Sequence, residues 1–146
     1  PVARAAGVDV DLRRDAPYAV YDRLDFRVIT ANEGDVWACT LVRTLEIVES
    51  LRMCRQLLHE LPEGPLAVRA PRRVPPGQVV SRCEAPRGEL LYYVRSDGSE
   101  RPARVKIRTP TLTTLIILPD QLRNVNTADV PAVLAGADLC IACADR

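Results

Sequence analysis

Between Asp35 and Leu61 apolar residues return at threes and fours, at Val36, Trp37, Leu41, Val42, Leu45, Val48, Leu51, Leu57 and Leu58. That spacing predicts one amphipathic helix of many turns, around which the rest of the chain must arrange itself. Gly34 and Asp35 punctuate its start, and Pro62, Glu63 and Gly64 close it. His59 falls in the last turn, where a cation suits the helix dipole, and reads as structural. Prolines at 71, 75, 76 and 86 argue against helix from Leu66 to Pro86 and for an irregular connection with short strands. Glu89 to Arg95 and Pro102 to Arg108 are strand-like runs flanking Ser96-Asp97-Gly98-Ser99-Glu100, which predicts a hairpin. Short helices are expected at Thr111 to Leu118 and at Val130 to Ala135, the second capped by Asp129 or Thr127. Nearer the start, Tyr18 to Leu24 reads as a helix and Phe26 to Ile29 as a strand. The pattern is α+β, one domain over residues 1 to 146, with no internal repeat.

Composition sets outer limits. A 146-residue chain that is 47% hydrophobic is sized for one core. Twenty basic residues interspersed with nineteen acidic ones give a net charge of +1, so the charges read as a solvated face and make no case for nucleic acid or an anionic surface. No stretch reaches the roughly 18 uninterrupted apolar residues of a spanning helix, and Pro1 opens without a signal-like segment. Any membrane link is expected to run through partners. Five cysteines are an odd number without a paired framework, which fits a reducing compartment. Cys39 and Cys54 lie in the helical pattern and read as small buried hydrophobes. Cys83 stands just before the arginine-bearing segment Glu84-Ala85-Pro86-Arg87-Gly88-Glu89-Leu90.

The final residues, Asp138-Leu139-Cys140-Ile141-Ala142-Cys143-Ala144-Asp145-Arg146, carry the one C-x-x-C. Two thiolates at that spacing can face one ion, and soft sulfur selects iron, nickel, zinc or copper over magnesium or calcium. With His59 the sole histidine and no second C-x-x-C, a complete zinc set cannot be written. The tail is too short beyond Cys143 for a thioredoxin-like helix. Spacing alone leaves a metal half-site and two unrelated small residues evenly balanced. Arg87 offers a planar, permanently charged donor to an anionic ligand, or serves as a solvated arginine in a turn. In Arg108-Thr109-Pro110-Thr111, Thr111 before the apolar run Leu112 to Leu118 reads as a helix cap.

Taken together these blocks resemble the carboxy-terminal part of a nickel-iron hydrogenase large subunit, above all the membrane-linked, energy-converting group related to the formate hydrogenlyase large subunit. The family's D-P-C-x-x-C-x-x-H/R ending is met by Asp138, Cys140, Cys143 and Arg146, with Leu139 in place of proline. The E-x-P-R-G-x-L segment is met at Glu84 to Leu90, and the short V-P-S/T stretch at Arg108 to Thr111. Pro17-Tyr18-Ala19-Val20-Tyr21-Asp22, Gly34 to Cys39, Arg43, Glu46, Tyr92-Tyr93-Val94 and Ser96-Asp97-Gly98 resemble a scaffold shared with the 49-kilodalton subunit of respiratory complex I. The terminal cysteine pair distinguishes the two, because complex I relatives lack it.

The resemblance implies a nickel-iron centre with cyanide and carbon monoxide ligands, Cys140 terminal to nickel and Cys143 bridging nickel and iron. It implies Pro86, Arg87 and Thr111 around the cyanides, with Asp138 a carboxylate beside Arg87. The stop at Arg146 resembles the family's processed end. The family's amino-terminal C-x-x-C is not among these residues, so the expectation is a fragment that carries half the ligands and is inactive alone. Implied partners are a small iron-sulfur subunit, membrane subunits and maturation proteins, at the cytoplasmic face of the cell membrane. Two alternatives stand beside it, a complex I-like quinone-site or coupling subunit without nickel, and a non-catalytic interaction module.

Overall fold

The computed structural model describes residues 1 to 145 and is α+β. Two single-turn helices, α1 (Val2–Ala5) and α2 (Leu12–Asp15), precede the long helix α3 (Val36–His59). Strands β1 (Gly77–Ala85), β2 (Gly88–Ser96) and β3 (Arg104–Arg108) follow, then α4 (Pro110–Gln121), α5 (Val130–Ala137) and the short α6 (Ile141–Ala144).

Helix α3 forms where the periodicity placed it, and Asp35 caps it by accepting the Ala38 N–H at 2.7 Å. His59 is its last residue. The face it buries shares only Val42 with the predicted apolar set. Ala38, Cys39, Val42, Glu49 and Met53 are buried, whereas Trp37 is 70% exposed and Leu58 75%, with Leu41, Leu45, Val48, Leu51 and Leu57 also exposed. The inward seam is narrow because a buried nucleus of small side chains, Ala5, Ala38, Cys39 and Val42, lets the amino-terminal segment approach closely. Cys39 is buried as expected, but Cys54 is exposed because it lies outside that seam.

Helix α5 crosses α3 at Gly136, where an added Cβ would stand 3.3 Å from both Val36 methyls. The small residue sets that helix spacing.

The sheet is antiparallel in the order β1-β2-β3. The β2 and β3 strands make the expected hairpin, its loop fixed by Asp97 accepting the Ser99 N–H at 3.0 Å. Where irregular chain with short strands was expected, β1 is one nine-residue strand paired along its length with β2. The prolines confine themselves to the chain before Gly77 and to the turn after Ala85.

Phe26 to Ile29 is not a strand. Its neighbouring backbone is met by α3 side chains, with Asp25 N bonded to Gln56 at 2.9 Å and Arg27 N to Glu49 at 3.3 Å, so no ladder partner is needed. Tyr18 to Leu24 yields only a 3₁₀ turn, Tyr21–Arg23. Helices α4 and α5 arise as expected. Thr109, not Thr111, is the residue before α4, since Pro110 with its fixed φ takes the first helical position. Asp129 precedes α5 without a side-chain cap bond.

Candidate functional site

Three segments distant in sequence converge at one edge of the sheet. Between β1 and β2, Pro86 and Arg87 form the two-residue turn closed by Ala85 opposite Gly88. Gly88 sits at φ +130°, and a Cβ there would lie 3.3 Å from Pro110 Cβ, so glycine lets the turn meet the start of α4. The third segment is the tail from Asp138.

Asp138 ends α5 in the left-handed region, φ 49°, its N–H closing the helix onto Leu134 and Ala135 carbonyls. That geometry turns the chain back and presents both its carbonyl and its carboxylate to Arg87. Arg87 Nε donates to the Asp138 carbonyl at 2.9 Å and Nη2 to Oδ1 at 3.2 Å. From the other side, Arg43 Nη1 stands 3.4 Å from Asp138 Oδ2. Arg43 also donates through Nη2 to the carbonyls of Ala135 and Gly136, at 2.8 and 3.1 Å. It thereby ties the end of α5 to α3. Arg87 and Asp138 keep about a third of their side-chain surface, 33% and 34%.

The tail is latched by two threonines. Thr109 Oγ1 donates to the Cys143 carbonyl at 2.6 Å, and Cys140 N donates to Thr111 Oγ1 at 3.3 Å. Both threonines are buried, Thr111 to 2% exposure. Cys140 then occupies the position before α6, its carbonyl accepting Cys143 N at 3.1 Å. The Cys143 N–H and thiol bonding to its sulfur, aided by the charge of Arg87, hold the Cys140 thiol below the ordinary thiol range. Both cysteines are half-buried and free. Among the described residues no third Cys, His, Asp or Glu joins them in a metal-holding group. Arg146 lies outside the described residues.

Five of the sequence-derived candidates, Arg87, Thr111, Asp138, Cys140 and Cys143, are thus tied by direct bonds, and Pro86 borders them in the turn. Cys83 remains half-buried in β1. Two contributors went unassigned in the sequence. Arg43 stood only as part of a shared scaffold block, and Thr109 was passed over for its neighbour.

Beside this edge opens a cleft of about 290 Å³, lined by Arg4, Arg13, Arg43, Glu46, Glu84 and Asp138 among others. Its far wall is a buried charge cluster. Arg4, 5% exposed, bonds Glu46 at 2.7 Å and Glu84 at 2.9 Å, and donates to the Val10 carbonyl at 3.1 Å. Glu84 further accepts Leu12 N at 3.3 Å, while its own N–H donates to Tyr18 Oη at 3.0 Å. Arg4 Nε and Nη1 are both bonded within the fold.

The whole chain matches one family model, described as the 49 Kd subunit of respiratory-chain NADH dehydrogenase, over residues 1–76 and 67–146. It is 41% identical to a carbon monoxide-induced hydrogenase of Rhodospirillum rubrum, over all of this chain and 40% of that protein. It is 40% identical to an NADH-quinone oxidoreductase subunit of Dehalococcoides mccartyi, again over all of this chain and 40% of the relative. Among solved structures it is similar, at TM-score 0.92 and 39% identity, to a chain of the membrane-bound sulfane sulfur reductase, an archaeal respiratory membrane complex. The match covers 100% of this chain and 42% of that one. The chain spans about 40% of the length of the curated relatives it matches.

Proposed function

The chain belongs to the family of the 49 Kd subunit of respiratory-chain NADH dehydrogenase, and from that premise we propose that it is part of the large subunit of a membrane-associated nickel-iron hydrogenase. The family is one of oxidoreductase subunits. The observation that carries the finer reading is the cysteine pair latched by Thr109 and Thr111 beneath a guanidinium that Asp138 orients.

The donor set fits such a centre as one half of it. Two soft thiolates suit nickel and iron, and Cys140 is already biased toward the thiolate that a metal requires. Since no third ligand joins among the described residues, two more thiolates have to come from elsewhere in the polypeptide. A bound nickel-iron pair would supply the reversible interconversion of hydrogen with protons and electrons. Cys140 and Cys143 would supply two of the thiolates that hold that pair.

The surrounding residues have defined work. Arg87 spends two of its five N–H groups on Asp138, which leaves the others for an anionic ligand such as cyanide. Thr111 uses its oxygen to accept Cys140 N, and its hydroxyl proton stays free to donate. Pro86 walls the turn with apolar surface. Asp138, held by Arg43 as well, fixes the orientation of the Arg87 guanidinium beside the cysteines.

Among the described residues no helix is long and apolar enough to cross a membrane. We assign the membrane link to partner subunits, with a small iron-sulfur subunit on the electron path, and maturation proteins to load the metals. A second reading, a complex I-like quinone-site or coupling subunit without nickel, is favoured by the near-equal identity to the hydrogenase and to the NADH-quinone oxidoreductase relative.

The test is to express the full-length polypeptide in a host with hydrogenase maturation and measure bound nickel and iron together with infrared bands of cyanide and carbon monoxide. Near-stoichiometric nickel with those bands is expected, and both should vanish in Cys140→Ser and Cys143→Ser. Absence of nickel after competent maturation would move the protein to the second reading. The 146 residues alone are expected to take up no hydrogen.

A further inference from the structure

Strand alternation and register place Arg82 of β1, Arg95 of β2 and Arg104, Lys106 and Arg108 of β3 on one face of the sheet. The carboxylate that serves this group is Glu89, which meets Arg108 at 2.6 Å and Arg82 at 3.6 Å. Arg95, Arg104 and Lys106 make no ion pair among the described residues. With Tyr93 they line a shallow concavity of about 260 Å³. Asp97, whose carboxylate feels Arg95, is held by Ser99 in the hairpin loop.

Arg95 lies directly opposite Arg104. Like charges facing each other across a strand pair destabilise it, so the sheet carries a repulsion that a bound anion would relieve. The interspersed charge of the sequence hides this asymmetry, because residues nine or more positions apart become neighbours only through the register.

We propose that this face docks an acidic segment of a neighbouring subunit, its carboxylates seated over Arg95, Arg104 and Lys106. Guanidinium forks match carboxylates in a bidentate way, and Tyr93, whose hydroxyl donates to Gln78 at 3.0 Å, presents a fixed aromatic edge between them. A membrane surface fits less well. The strip is three strands, about 10 Å, wide, and Val80 is its one exposed large aliphatic, whereas elements that lie on bilayers bury a broad apolar face. The assignment stands whichever reading of the cysteine site holds.

Lys106 is the only lysine in these 146 residues, which makes it a unique amine for a zero-length carbodiimide cross-link to a carboxylate. In the assembled complex with the full-length polypeptide, mass spectrometry should find Lys106 joined to an Asp or Glu of another subunit, and Lys106→Arg should abolish that link. Neutralising the face with Arg95→Gln, Arg104→Gln and Lys106→Gln should cut retention of that neighbour by about tenfold or more, as three exposed ion pairs are lost. The free variant should melt no lower than the parent, since the Arg95 and Arg104 repulsion is gone. Cross-links confined to the same polypeptide would overturn the proposal, because another part of the chain then covers the face. So would assembly with unchanged retention and no link at Lys106. Flotation of the parent, but not the variant, with phosphatidylglycerol vesicles and no cross-link to a subunit would reassign the face to lipid.

Discussion

Two guanidinium and carboxylate clusters face each other across one cleft, and they differ in how finished they are. Around Arg4 the fold itself supplies three bonds, to Glu46, Glu84 and the Val10 carbonyl, with the side chain buried. Around Arg87 the pairing with Asp138 is partial: a third of each side chain stays open, and two of the five N–H groups are engaged. The same chemistry therefore serves two ends. Buried and bonded to two carboxylates, it fixes the placement of α1 on α3 and β1; more open and bonded to one, it keeps donors in reserve beside the thiols.

The contrast breaks most sharply at Arg4. Arg4→Met strands Glu46 and Glu84 without a counter-charge and should cost about 3 to 5 kcal/mol of stability, read by chemical denaturation of the full-length polypeptide. Arg87→Ala should leave that denaturation curve within about 1 kcal/mol of the parent, its ion pair being about a third open to solvent and Asp138 keeping Arg43 as a partner. On the hydrogenase reading it should nonetheless lower hydrogen turnover by about 100-fold or more, the cost of removing a preorganised donor. Equal losses of stability in the two variants would erase the distinction.

A pH experiment sharpens it. Burial pushes the Asp11 carboxyl up, but the side-chain and backbone bonds from Arg13 outweigh it and leave the group below its usual value. A depressed carboxyl contributes stability above its unfolded value, near pH 4, and loses it as pH falls through the lower folded value. Asp11→Asn, which can still accept the Arg13 N–H as a cap, should therefore lose stability at neutral pH and show a flatter acid limb. The smallest effect is expected at Cys140. In the metal-free polypeptide its alkylation should persist below the ordinary thiol midpoint near pH 8.5, and Arg87→Ala should move that profile slightly upward.

Much of this was legible in the sequence wherever local rules act. The spacing from Val36 onward, the Asp35 cap and the Asp97-Gly98 hairpin are short-range signals, and the helix and hairpin appeared where they pointed. The site blocks were legible one at a time, as a C-x-x-C, an arginine turn and a threonine before an apolar run. Spacing alone could not unite them, since Arg87 and Asp138 lie 51 residues apart and Thr109 and Cys143 lie 34 apart; the family resemblance put Asp138 beside Arg87 but left Thr109 and Arg43 without a role. The Arg4 cluster was silent for the same reason, its partners standing 42 and 80 residues away. The buried side of α3 misled because Glu49, Arg43 and Glu46 look like solvent residues until their partners are known.

The turn at Pro86 and Arg87 closes β1 onto β2 with no spare residue, and the register runs unbroken from Ala85 opposite Gly88 to Gly77 opposite Ser96. Because side chains alternate with a period of two, one inserted or deleted residue there would exchange the two faces of β2. Arg95 and Tyr93 would leave the cationic face and Leu90, Tyr92 and Val94 would take their place on it, while Arg87 would lose its register with Asp138. Insertion scanning should accordingly find this turn among the least tolerant positions of the chain to a change of length, although Pro86 itself makes no hydrogen bond through its side chain and should accept substitution far more readily.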